Sequence, residues 1–160
     1  MRLILLLLSL TMASESWLSP RVEHLDAHLL RAEALLTEAH AHHGTLAAAQ
    51  LQFAEGGCAD QRCPAQRGVA LVRVMRREGR DARDLIQAAR AEIDRAARLA
   101  RREAVAPLVD AEREDRLTAQ QRDVDALSRR WLARSAWHRQ YVEPWERRHA
   151  RLLRDGQGEP

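Results

Sequence analysis

Apolar residues recur at three- and four-residue intervals along most of the chain, which is the period of an amphipathic helix and not of a strand. Val22, Leu25, Leu29, Ala32, Leu36, Ala39, His43, Leu46, Gln50 and Phe53 keep this spacing without a break. Such a heptad seam predicts one helix from about Pro20 to Ala54. Ser19 and Pro20 suit its start, because Ser caps and the fixed φ of Pro fits the first turn. Gly44 is a weak point within it, at a cost of about 1 kcal/mol relative to Ala.

Further along, Val69-Ala70-Leu71-Val72-Arg73-Val74-Met75 reads as a helical turn or two, since a lone strand would have no partner. Gly79 interrupts, and Asp81 with Asp84 resembles a capping pattern that opens a second long segment. Its inner face, Ala82, Ile86, Ala89, Ile93, Ala96, Ala100 and Ala104, is mostly small and suits close packing. Pro107 divides off the remainder, either as a kink or as the opening of a third segment. There the heptad spacing returns at Leu117, Gln120, Val124, Leu127, Trp131, Arg134, His138, Tyr141 and Trp145, with Leu152 one heptad later. Pro144 bends or ends that helix. The pattern predicts an all-α fold, an elongated helical hairpin or three-helix bundle with coiled-coil-like seams. If the first and third segments run parallel with Val22 beside Leu117, His43 and His138 share a layer.

The N-terminus reads differently. Met1-Arg2 is a short charged start, Leu3 to Leu10 an apolar run, and Thr11-Met12-Ala13 supplies small residues for cleavage. Residues 1–13 are read as a signal peptide, 14–155 as a helical domain and 156–160 as a disordered tail. A run of about ten residues is too short to span a bilayer, which needs roughly 20, so the chain is not read as transmembrane. A periplasmic or secreted location follows, and an uncleaved leader would make it a cytosolic coiled-coil adaptor instead. Cys58 and Cys63 agree with export, since they flank a loop beside Gly56, Gly57 and Pro64 that an oxidising compartment would close as a disulfide. Closing so short a loop stabilises by about 2 kcal/mol through chain entropy.

Composition supports the helical reading and narrows the function. The 160 residues are 46% hydrophobic and only 4% aromatic, with 7 Gly and 5 Pro, too few turn-formers for a many-stranded sandwich. All 26 basic residues are Arg, and Asn is absent. The formal charge of +3 hides an asymmetry: an acidic first third carrying five of the seven His, then a basic remainder in which residues 129–154 hold eight Arg against Glu143 and Glu146. Such polarity points to an anionic partner surface.

Two constellations could carry chemistry. His24 and His28 lie one turn apart, and His40, His42 and His43 cluster beyond them, with Glu38 one turn before His42. That spacing puts imidazoles on one helix face, as helical metal sites do, and Zn²⁺, Cu²⁺ or Ni²⁺ would suit it, although no cofactor is required by the sequence. The second is Trp131, Trp137, Tyr141 and Trp145 among arginines, with Trp137, Arg139, Trp145, Arg147, Arg148 and Arg151 as the candidate partner-binding residues. No nucleophile elbow, zinc-protease motif, P-loop or dinucleotide fingerprint occurs, so the reading is non-catalytic. No nucleic-acid-reading motif occurs either.

Leu117-Thr118-Ala119-Gln120-Gln121 resembles the L-T-x-x-Q motif of small periplasmic helical proteins of the Spy and CpxP type. Leu36-Thr37-Glu38-Ala39-His40 would be a first copy in which His40 replaces Gln. The resemblance implies a stress chaperone or metal-responsive protein. The residues themselves point first to an exported interaction or adaptor protein of the bacterial cell envelope, meeting a protein or an anionic envelope component, with a homo-oligomer also open.

Overall fold

The seam beyond Pro20 forms as the spacing requires, within a helix longer than expected. The protein's structure is a computed structural model that describes the backbone of residues 2–60, 62–102 and 105–155 and the side chains of 20–60, 62–102 and 105–154. Helix α1 (Arg2–Glu55) contains Pro20 in its interior instead of starting there. The Leu-rich residues ahead of Pro20 are themselves helix formers, and they carry the helix past its one missing donor. The side chains of the expected signal peptide, 1–13, lie outside the described set, as does the expected tail, 156–160. Among the described residues no helix is long and apolar enough to cross a membrane.

Helix α2 (Ala65–Ala100) is continuous through Gly79, so neither the interruption there nor the start at Asp81 is realised. The reason is packing. Val69, Val72, Met75, Ala82, Ile86, Ala89, Ile93 and Ala96 are all buried at one three- and four-residue spacing, and this face outweighs a glycine penalty of about 1 kcal/mol. A 3-10 turn at Ala106–Leu108 takes Pro107 near its start. Helix α3 (Ala111–Trp137) then opens with Asp110 accepting from the Arg113 N–H at 2.9 Å, a side-chain cap. The fold is all-α, with α1 and α2 packed as a hairpin and no strand among the described residues.

Two compact units divide the chain. The first comprises Met1–Leu35 and Gln87–Val124. Its core sets Leu25 and Leu29 of α1 against Ala96 of α2, with Ala100, Val109 and Leu117 packed on them. Arg113 forks onto Asp26, with Nε and Nη2 each 2.9 Å from a carboxylate oxygen. Arg116 reaches Glu33 in the same sense along the helices, so α1 and α3 run parallel in this unit.

The second unit comprises Leu36–Ile86 and Asp125–Pro160. Its core gathers Leu46, Phe53, Val72, Met75, Val142, Trp145 and Leu153. At the end of α1, Gly57 adopts φ 72°, the Cys58 N–H bonds Phe53 O at 3.0 Å and the Gly57 N–H bonds Ala54 O at 3.1 Å, a glycine-dependent helix stop. Cys58 and Cys63 form the expected disulfide across the turn that follows.

Beyond α3 the helix widens into a π turn, His138–Val142, before α4 (Glu143–Arg148) and α5 (Ala150–Asp155). Pro144 explains the widening: it has no N–H for the carbonyl four residues back, and the Glu143 N–H bonds His138 O five residues back instead. One residue of extra turn shifts the seam. Val142, Trp145 and Leu153 are buried, whereas Tyr141 and Leu152, expected on the seam, are exposed.

Trp145 reaches its place because residue 68 has no side chain. A Cβ at Gly68 would lie 2.2 Å from the Trp145 Cζ2. A helical glycine normally loses about 1 kcal/mol to Ala, but here overpacking outweighs that gain, and Gly68→Ala is expected to destabilise by about 1–3 kcal/mol. Gly44 has nothing within 4 Å of an added Cβ, so Gly44→Ala should stabilise by up to about 1 kcal/mol. Denaturant unfolding of the two variants checks the opposite signs.

Candidate functional site

Two of the five histidines expected as metal ligands, His28 and His42, pair with carboxylates across helices. In the first unit His28 donates through Nδ1 to Glu92 Oε2 at 2.5 Å, and Arg95 holds the other oxygen. In the second, His42 donates through Nδ1 to Glu78 Oε2 at 2.7 Å, and Arg77 takes the other oxygen. Both carboxylates are buried on α2, and both imidazoles come from α1. The pairs stand two heptads apart on each helix, so one antiparallel register satisfies each of them. His24 is exposed and His40 is half-buried. Among the described residues no group of three or more His, Cys, Asp or Glu side chains is arranged to hold a metal ion.

His43 occupies its seam position with a buried Nε2 that has no hydrogen-bond partner among the described residues. Burial first, and then the Arg134 guanidinium, push its imidazole below the ordinary 6.5. Its charged neighbours are Arg134, Arg130 and His40, while His138 Nε2 lies 3.4 Å from Glu146 Oε1. The layer expected to join His43 with His138 therefore joins His43 with Arg130 and Arg134. Parallel packing of α1 with α3 holds in this unit, but in a register displaced from the expected one. Gln50 sets it, donating to Arg134 O at 3.0 Å and accepting from Arg134 Nη1 at 3.0 Å.

The arginine and tryptophan constellation separates into core and surface. Trp145 is only 1% exposed and meets Phe53 edge-on at 5.9 Å, so it is core and not a partner contact. Trp137 is half-buried and also meets Phe53 edge-on, at 6.3 Å. Arg139, Arg147, Arg148 and Arg151 are exposed, and so are Tyr141 and Leu152 beside them in sequence.

Next to this surface lies a cavity of about 290 Å³ between α2 and α3 of the same unit. Arg76, Arg80 and Arg83 line it from α2 at helical spacings of four and three, and Arg134 and Arg139 line it from α3 and the π turn. Leu46, Met75 and Trp131 are its large apolar lining residues. The Trp131 indole N–H is used on Gly79 O at 3.0 Å, which holds the ring in place. Arg76 is held by Glu146 at 2.9 Å and Arg134 by Gln50. Arg80, Arg83 and Arg139 have no ion pair among the described residues, and Glu143 is the one carboxylate in the lining. No family model matches the chain, and no curated protein or solved structure matches it at a significant level.

Sequence reasoning missed the α2 side of this cavity. Reading Gly79 as an interruption hid the common face of Arg76, Arg80 and Arg83, and continuing the seam through that glycine reveals it. In the segments that resemble the L-T-x-x-Q pattern, Leu36 is buried and Leu117 packs on the first unit's core. Gln120, inside the second of these segments, is buried and donates to Leu29 O at 2.9 Å.

Titration of these groups orders the loss of stability in acid. Because the folded His43 resists protonation, stability should begin to fall as pH drops below 6.5. Glu92 is held below its ordinary 4.5 by the His28 hydrogen bond. Burial raises Glu78, but His42 and Arg77 outweigh it and leave the carboxyl lowered, and Arg113 lowers Asp26. Their contribution is complete above pH 4.5 and is lost as pH falls through the lowered values. Thermal midpoints measured from pH 8 to pH 3 should show both steps, and His43→Leu should remove the first while leaving the second.

Proposed function

We propose that this chain is an exported, non-catalytic helical protein of the bacterial cell envelope that acts as an interaction or adaptor protein. Its contact surface is the arginine-rich end of the second unit. The observation that carries this reading is the exposure of Arg147, Arg148 and Arg151 on α4 and α5. Exposed Leu152 adds apolar area beside them, a combination that suits the boundary between anionic headgroups and acyl chains. Arginine presents a planar donor fork to phosphate and carboxylate groups, and several together attract an anionic surface over roughly a Debye length of 8 Å.

Cosedimentation with vesicles tests it. Binding to phosphatidylglycerol vesicles, absent with phosphatidylcholine alone and weakened by salt, is the expected result. With about 1 kcal/mol from each basic side chain near such a surface, Arg147→Gln/Arg148→Gln/Arg151→Gln should weaken binding about a hundredfold. Equal binding to neutral vesicles, or no effect of the triple variant, overturns the contact. Intact mass and fractionation test export separately: the expected product lacks residues 1–13, and a full-length cytosolic product overturns that part.

A further inference from the structure

Five arginines line one small cavity, and like charges held near one another repel. Two of them are already accounted for, since Glu146 engages Arg76 and Gln50 engages Arg134. Arg80, Arg83 and Arg139 remain without an ion pair among the described residues, and one lining carboxylate, Glu143, offsets at most one of them. The excess positive charge fits a dianion better than a single carboxylate. A phosphate monoester carries about −1.5 to −2 at neutral pH and offers three acceptor oxygens. Arginine is the side chain best shaped to pair with them in twos.

The lining also has apolar members. Leu46 and Met75 line the cavity together with Trp131, whose polar N–H is already used on Gly79 O and leaves the ring's carbon surface for contact. A volume of about 290 Å³ lies near the lower end for small-molecule pockets and admits a phosphate with a compact ring system, not a pair of acyl chains. We infer that this cavity is a binding site for a small, soluble phosphate monoester with a planar or apolar body, its phosphate held by Arg80, Arg83 and Arg139 and its body against Trp131. The site is separate from the vesicle contact, because Arg147, Arg148 and Arg151 line no part of it.

Calorimetry on the full chain with 1-naphthyl phosphate and with inorganic phosphate tests the inference. The aryl ester is expected to bind about tenfold or more tighter than inorganic phosphate, since the apolar lining contributes only to the former. Arg80→Gln/Arg83→Gln replaces two exposed side chains and should weaken both ligands about tenfold or more, with Arg139→Gln as an independent second variant. Arg147→Gln/Arg148→Gln/Arg151→Gln should leave 1-naphthyl phosphate binding unchanged. Absence of heat with either ligand at millimolar concentration overturns the site, as does full affinity in the Arg80/Arg83 and Arg139 variants. Equal affinity for the two ligands overturns the apolar half. Competition by phosphatidic acid vesicles matching that of free aryl phosphate overturns the assignment to a soluble ligand.

Discussion

A carboxylate taken out of water needs donors, and one left without its partner bears an uncompensated desolvation cost. Helix α2 buries one carboxylate in each unit, Glu92 in the first and Glu78 in the second, and α1 answers each with a histidine. Apolar contacts tolerate sliding, because one heptad of Leu and Ala packs much like the next. These hydrogen-bonded pairs do not. A slip of one heptad would leave each carboxylate without its imidazole, so the two pairs select the antiparallel register that the apolar seams permit. Everything placed on α2 inherits that choice, including the arginines at 76, 80 and 83.

A second constraint shapes the C-terminal part of the second unit. Gly68 leaves room for the Trp145 indole to rest on the backbone of α2, where Phe53 meets its edge and His149 stacks on it at 4.1 Å. Pro144 brings about the π turn that sets Val142 inward in place of Tyr141 and keeps Trp145 in the core. The same turn carries Arg139 to the cavity and leaves Arg147, Arg148 and Arg151 on the outside. One proline and one glycine thus sort a single arginine-rich segment into two electrostatic surfaces.

How much was legible in the sequence varies along the chain for physical reasons. The α1 seam from Leu25 to Phe53 could be read because its side chains are large and its period is unbroken, and its apolar members are buried. In α2 the local propensity of Gly79 points to a break, whereas burial of Val72, Met75 and Ala82 on either side decides the helix. The phase of Tyr141 and Leu152 went astray because a constant period cannot anticipate a π turn, although Pro144 was its visible signal. The histidine spacing was real, but spacing on one helix does not say what faces it, and Glu78 and Glu92 face it.

By itself the sequence determined the helical class, the long first seam, the small-residue face of α2, the disulfide loop and the concentration of arginine in residues 129–154. These follow from periodicity, propensity and covalent proximity, which act over a few residues. Only the tertiary structure decided that His28 and His42 pair with buried carboxylates, that Trp145 is core, and that arginines from α2 and α3 share one cavity with Trp131. Each of those depends on which faces of distant segments meet, and that is set by a few buried polar pairs and one missing side chain, not by any pattern a single segment carries.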